Sequence, residues 1–303
     1  MDVVLEGFDV YIFDYIYALL PLPSMPAPQS TYQWEPASRY LSFKPSEYVW
    51  MGRWGRENIY RQFTTVFLIT WIFGLVIYFI RATFSYVFIF DKTTFTHTKY
   101  FNNQISLEIA QAMVAIPVVA FFTAPIFVAE VRGYSKMYDT TPDGPGVWYD
   151  IIQFPFFIIF TDFCIYWIHR CLHHPKMYKH LHKPHHKWIM PSPYASHAFH
   201  PLDGYVHSLP YHIFPFFFPL QKFAYIFFFA FVNIWTVLIR DGGYLAKSPI
   251  IIGAACHTKH HLYFNHNYGQ YTTLWDRLGG SYRKSDDELF REELKIVRSE
   301  REK

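Results

Sequence analysis

The sequence is short of charge and of cysteine. Charged residues make up 17% of the 303, and 27 Lys and Arg against 24 Asp and Glu leave a net charge of only +3. So small an excess excludes the dense basic face that nucleic-acid binding requires, and no nucleic-acid partner is expected. Three cysteines, Cys164, Cys171 and Cys256, are too few and odd in number for a disulfide framework. They read as inert or buried thiols, although Cys171 and Cys256 lie near histidine-rich segments. The first basic residue is Arg39, while Asp2, Glu6, Asp9 and Asp14 are acidic, the reverse of a cleavable signal peptide. There is no internal repeat, no low-complexity tract, no N-x-S/T acceptor and no H-E-x-x-H motif with its glutamate base.

What is present in quantity is apolar and aromatic surface. The chain is 51% hydrophobic and 21% aromatic, with 32 Phe and 24 Tyr. Apolar runs occupy residues 63–90, 105–131, 151–168 and 213–239. About 20 apolar residues cross a bilayer as a helix. The expected fold is therefore all-α: a polytopic membrane helical bundle of about four or more transmembrane helices with a cytosolic histidine-rich cap. The fourth run lies between two histidine-rich segments. If both build one site, the chain must return to the same membrane face. The run is therefore read as a helical hairpin broken at Pro215, Pro219, Gln221 and Lys222.

The expected organisation is an amino-terminal interfacial helix and linker over 1–60, an amino-terminal transmembrane region over 61–147, a histidine-box catalytic domain over 148–284 and a charged tail over 285–303. Residues 1–20 alternate acidic and aromatic side chains, as an interfacial or partner-contacting helix does, and 21–28 form a stiff proline-rich linker. Arg170, Lys176, Lys179, Lys183 and Lys187 place the histidine segment in the cytosol by the positive-inside rule. Arg39 to Arg61 argue that the amino terminus is cytosolic too, which an even number of crossings before His169 would satisfy if 63–90 is a bent pair.

Seven of the sixteen histidines fall within residues 169–186. Three boxes can be written: His169-x-x-x-His173, His182-x-x-His185-His186 and His257-x-x-His260-His261. Positions three and four apart share a helix face, so each box presents imidazoles in one direction. Imidazole is a common ligand of zinc, copper and iron. Eight are too many for one tetrahedral ion, and the count suits two ions in one cavity. Pro184 suggests a helix starting near His185, with His182 just before it. His197 and His200 are candidates for orienting the ligating rings, since a metal-bound imidazole normally donates its other N–H. Asp162 either accepts such a hydrogen bond or pairs with a basic residue at the interface. His207 and His212 read as structural. Asp276 and Arg277 are expected to brace the helix carrying His260 and His261.

The HxxxH, HxxHH, HxxHH set resembles the membrane fatty acid hydroxylase and sterol desaturase superfamily. "ASHAFHPLDG", "CHTKHHLYFN" and "YGQYTTLWDRLGGSYRKSDDELF" are similar to the sterol branch, the fungal C-5 (delta-seven-sterol) desaturases. The likeness covers roughly residues 30–290. It implies a multi-pass oxidoreductase of the endoplasmic reticulum membrane with its active site facing the cytosol and a non-haem centre of two irons. It further implies a dioxygen-dependent reaction that places a C-5 double bond in ring B of a delta-seven sterol on the way to ergosterol. Electrons would come from cytochrome b5 and its NAD(P)H-dependent reductase. His169, His173, His182, His185, His186, His257, His260 and His261 carry over as iron ligands, with no catalytic side chain beyond them.

The chain also departs from the pattern. Arg240 stands in "IRDG" where the family has histidine, Gln221 stands where it has "PLHK", and His266 stands where it has tyrosine. A guanidinium stays protonated and cannot ligate a metal. His266 lies five residues past His261, about 140° round a helix, and would need a bend to serve instead. Two alternatives therefore stay open: a diverged member acting on another terpenoid or lipid, and a metal-depleted, non-catalytic paralogue.

Overall fold

The computed structural model describes residues 1–21, 36–96, 99–239 and 249–284. Arg240, most of the proline-rich linker and the charged tail lie outside the described residues. Three helices are long and apolar enough to cross a membrane: α2 (Ile59–Phe88), α3 (Gln104–Val131) and α4 (Val147–Leu172). They follow α1, the helical stretch 2–19, in which a π-turn at Asp9–Phe13 joins Asp2–Phe8 to Asp14–Leu19. Only 22% of the apolar window of α2 is buried within the protein. Ile72, Phe73, Val76, Ile80, Phe84 and Phe88 are exposed, and a face this apolar is matched by lipid, not water. α2 is one unbroken helix, so the bent pair expected over 63–90 does not form. No proline interrupts it, and Arg81 satisfies itself on the Ile77 and Asn233 carbonyls.

The fourth apolar run divides as expected, at Pro219 and Gln221, just ahead of Lys222. α6 (Pro201–Phe217) carries straight through Pro215, and the break falls just after it, before α7 (Lys222–Leu238). There Leu220–Gln221 (β2) pairs in parallel with Met137–Tyr138 (β1). Helix α7, with 17 residues, is shorter than the three spans. Between α4 and α6 lies α5, a helical segment made of Pro175–Met177, a π-turn Tyr178–His182 and Lys183–His186. α8 (Ala254–Tyr263) and the single turn α9 (Leu274–Leu278) complete the described elements.

The chain forms two compact units. The first comprises Met1–Phe73, Ala120–Ile151 and His212–Tyr225. Its buried centre is ionic. Asp14 accepts from Arg56 at 2.6 Å, Arg61 at 2.7 Å and Ser46 at 2.8 Å, and Asp9 accepts from Arg61 at 2.9 Å. Two carboxylates and two guanidiniums cancel, which is the condition for burying charge. The acidic residues of α1 thus face inward, while Tyr11, Ile12, Tyr15, Ile16 and Leu19 face outward. The polarity of this helix is the reverse of a water-exposed one and suits an apolar surrounding.

The second unit comprises Gly74–Val119, Ile152–Tyr211 and Ile226–Lys303. It contains every histidine of the three boxes. Its core stacks Phe157 on Phe228 at 4.0 Å between centroids and buries Tyr78, Tyr166 and Trp188.

Candidate metal centre

Three elements of the second unit converge. The last turn of α4 carries His169, with His173 just past its end, α5 carries His182, His185 and His186, and α8 carries His257, His260 and His261. The boxes do not act as units. Their imidazoles sort into a group of five, His169, His173, His182, His186 and His260, and a group of three, His185, His257 and His261. Within each group the donor nitrogens lie within 4.8 Å of one another. The i, i+4 pairs stay together: His169 with His173, His182 with His186, and His257 with His261. The i+3 members His185 and His260 cross to the other group, because a step of three residues turns a helix by less than a full revolution. The groups adjoin, with His186 and His185 each 4.6 Å ring to ring from His261.

Nitrogen accounting tests whether a cation fits. His169 donates from Nδ1 to the Tyr268 carbonyl at 2.9 Å, and His260 donates to the His266 carbonyl at 2.7 Å. His182 donates from Nδ1 to Asp203 Oδ2 at 2.9 Å. With Nδ1 carrying the proton, each Nε2 is a bare lone pair. Yet the Nε2 atoms of His169 and His182 stand 3.1 Å apart. Those of His186 stand 3.1 Å from both His173 and His260, and His173 and His260 are 3.2 Å apart. Lone pairs facing at this distance repel. A cation among them removes the conflict: nitrogens about 2.1 Å from one ion and at right angles would be about 3.0 Å apart. The second group repeats the spacing, with His257 and His261 Nε2 atoms 3.1 Å apart. The residues therefore fit a metal in each group, and the donors are imidazole throughout.

Burial first, and then the neighbouring imidazoles, push the His173 ring down to about 3 and those of His186 and His260 well below the ordinary histidine value of 6.5. Neutral rings are what ligation requires. Burial would raise the Asp203 carboxyl, but the His182 and His207 N–H groups overcome this and hold it well below the carboxylate range. A histidine depressed in the folded state contributes stability that is complete above the unfolded value of 6.5 and is lost as pH falls toward its folded value. Thermal unfolding of metal-stripped protein between pH 8 and pH 5 is thus expected to show a melting temperature falling with acid. A flat or rising profile would contradict this.

α3 holds the α5 end of the site. Its Gln104, Glu108 and Gln111 recur on one face. Glu108 accepts from Gln104 at 2.6 Å and from the Ser192 N–H and hydroxyl. Gln111 accepts from the Trp188 indole N–H at 3.1 Å. These carboxylate and amide groups fix the chain just after His185 and His186.

The orienting partners differ from those expected from sequence. His200 Nδ1 accepts from the Leu202 N–H and so caps α6. His197 packs its ring 5.4 Å from Tyr78, with Nδ1 3.2 Å from Ser196 Oγ. Neither is placed on a box imidazole by these contacts. Among the described residues, Asp162 hydrogen-bonds to neither a histidine nor a basic residue. It accepts the backbone N–H groups of Gln270, Tyr271 and Thr272. His266 is in neither donor group, because α8 ends at Tyr263 and Phe264 turns the chain at φ +63°. Its contribution is its carbonyl. Asp276 braces the loop after α8, and Arg277 ties Thr273 of that loop to the Pro249 carbonyl ahead of α8, neither acting on the helix itself. As expected, an α-helical turn Lys183–His186 starts with His182 at its N-cap and Pro184 in its first turn; helical structure already begins at Pro175, and the π-turn Tyr178–His182 connects the two. Sequence reasoning missed Asp203, and it took His207 for structural. His207 lies 2.9 Å from Asp203 Oδ1 and 5.4 Å ring to ring from His169. The i, i+4 spacing of Asp203, in the quoted "HPLDG" stretch, and His207, just beyond it, was the available signal.

Membrane-length helices and eight imidazoles in two adjoining clusters define a class, the polytopic membrane proteins of the histidine-box type. Comparison with known proteins narrows it. Residues 154–281 match the fatty acid hydroxylase family. The chain is 58% identical over 324 residues to the Delta(7)-sterol 5(6)-desaturase of Leptosphaeria maculans, covering 99% of this chain and 91% of that one. It is 59% identical over 309 residues to a probable Delta(7)-sterol 5(6)-desaturase of Neurospora crassa, covering 98% and 90%. To the Delta(7)-sterol 5(6)-desaturase of Candida albicans it is 53% identical over 262 residues, covering 86% and 67%. No solved structure matches the chain. The chain belongs to the Delta(7)-sterol 5(6)-desaturase family, and it is an oxidoreductase of the membrane.

Proposed function

We propose that the protein introduces the C-5 double bond into ring B of a delta-seven sterol, using two irons held by the eight box histidines. The observation that carries this reading is the pair of imidazole groups whose Nε2 atoms face one another at 3.1–3.2 Å, with His169 and His182 both presenting a bare Nε2 because each Nδ1–H is already donated. Five histidines would hold one iron and three the other, the smaller set leaving positions free for an exogenous ligand. Ring C–H bonds are not acidic enough for a side-chain base, so bound iron would supply the oxidising power, with dioxygen as oxidant. In the balanced reaction the sterol loses two hydrogens, and dioxygen, two electrons and two protons become two waters.

The chain's own residues bind and orient. Asp203 fixes the ring of His182, the Tyr268 and His266 carbonyls fix those of His169 and His260, and α3 fixes the segment after His186. Burial of all eight rings except His173, which is partly exposed, excludes water from the reacting region. The exposed apolar sides of α2 and α4 suit a flat hydrocarbon substrate arriving from the bilayer. Electrons would come from cytochrome b5 and its reductase, docking on the basic face around Lys176, Lys179 and Lys183. The endoplasmic reticulum membrane, with the histidines on its cytosolic side, is the expected location.

Expression in fungal cells lacking their C-5 desaturase tests the proposal. Restored ergosterol is expected, and unchanged delta-seven precursor would overturn it. The variant Arg240→His, run beside the wild type, reads whether that position has lost a ligand, in which case activity rises.

A further inference from the structure

The loop after α8 uses its peptide groups in an unusual way. Five consecutive N–H groups are claimed by two buried carboxylates. Tyr268 and Gly269 donate to Asp276 at 2.8 and 2.9 Å, and Gln270, Tyr271 and Thr272 donate to Asp162 at 3.0, 2.8 and 3.2 Å. The Thr272 hydroxyl adds a bond of 2.6 Å to Asp162, and Ser281 adds one of 2.8 Å to Asp276. Both carboxylates are buried. Gly269 leaves no room for more: a Cβ there would lie 2.5 Å from the Thr272 carbonyl and 3.1 Å from Asp276 Oδ2.

The peptide unit joining Tyr268 to Gly269 stands between a carboxylate and an imidazole. Its N–H points at Asp276 and its carbonyl accepts the Nδ1–H of His169 at 2.9 Å. A negative charge on the N–H side polarises the amide and makes its oxygen a stronger acceptor. A stronger acceptor at Nδ1 makes Nε2 a more basic donor, as a carboxylate in direct contact does. Asp203 has that direct contact with His182. The peptide serving His260 differs: its N–H, on Asn267, donates to the neutral Ser281 carbonyl.

We infer that Asp276 is a positioning residue for His169, acting through the 268–269 peptide as Asp203 acts directly on His182, while Asp162 anchors the strap in place. The five-imidazole group is thus tuned by two carboxylates, one in contact and one relayed, and the three-imidazole group by neither of these. This inference rests on the ligand assignment proposed above.

Cobalt(II) titration of the purified full-length protein, followed by its visible absorption, tests it. Wild type is expected to take up two ions, and His257→Ala assigns the class belonging to the three-imidazole group. Asp276→Asn is expected to weaken the five-imidazole class by about 10–100-fold, the usual effect of losing an outer partner of a ligand, and to leave the other class unchanged. It should also speed solvent exchange of the cobalt-shifted Nδ1–H proton of His169. Gly269→Ala, which displaces the same peptide while leaving both carboxylates in the sequence, should reproduce the selective loss. Unchanged affinity in both variants, or equal weakening of both classes, overturns the inference. Wild-type protein that takes no cobalt at the five-imidazole group overturns the ligand assignment instead.

Discussion

His186→Ala is expected to lower desaturation by on the order of 10³-fold, about 4 kcal/mol in the barrier, and to remove metal from the five-imidazole group. His186 is the hinge of the site. Its Nε2 lies 3.1 Å from those of His173 and His260, and its ring lies 4.6 Å from that of His261 in the other group. Alanine deletes one donor of five and opens a gap between the groups. Since no side chain can replace a redox metal in breaking an unactivated C–H bond, the residual rate should be close to background. Product analysis and metal content on the same preparation check this. A variant with wild-type turnover and full metal content would show that the imidazoles gather for another reason. His261→Ala should lower activity comparably through the other group, with the five-imidazole ion retained.

The second large effect is expected at Asp203. Asp203→Ala removes the acceptor of the His182 Nδ1–H, leaving a buried donor unsatisfied at a cost of about 1–3 kcal/mol. It also frees the ring to rotate or change tautomer. Metal affinity at the five-imidazole group should fall by about 10–100-fold. Asp203→Asn keeps one oxygen for His182 and should lose less, but its amide would meet His207, which now lies 2.9 Å from Oδ1. Equilibrium metal competition ranks the three proteins, and alanine binding as tightly as aspartate would remove Asp203 from the machinery.

Much of this architecture was legible because it depends on local pattern. Long apolar runs can bury themselves in a bilayer only as helices, since a helix satisfies its own backbone, and the runs at 63–90, 105–131 and 151–168 became α2, α3 and α4. The break in the fourth run was legible too: of Pro215, Pro219, Gln221 and Lys222, α6 absorbs the first, and the chain turns beyond Phe217 at the others. A bent pair over 63–90 would have reconciled the charges of the flanking loops, but Ile59–Phe88 forms one helix. The alternating acidic and aromatic residues of α1 read as an interfacial helix, but nothing in the sequence signals that Arg56 and Arg61, more than forty positions away, enclose Asp14.

By itself the sequence determined which atoms could bind a metal. Eight imidazoles at i, i+3 and i+4 spacing are a covalent fact, and a helix converts spacing into direction whatever surrounds it. Tertiary structure alone decided the partition into five and three, because which helix faces which depends on packing between segments up to ninety residues apart. It also decided who holds the rings. Asp203 could have been suspected, but the acceptors for His169 and His260 are main-chain carbonyls. Every residue has a carbonyl, so its use leaves no mark in the side-chain sequence, and only the folded loop after α8, pinned by Asp162 and Asp276, aims those two at the site.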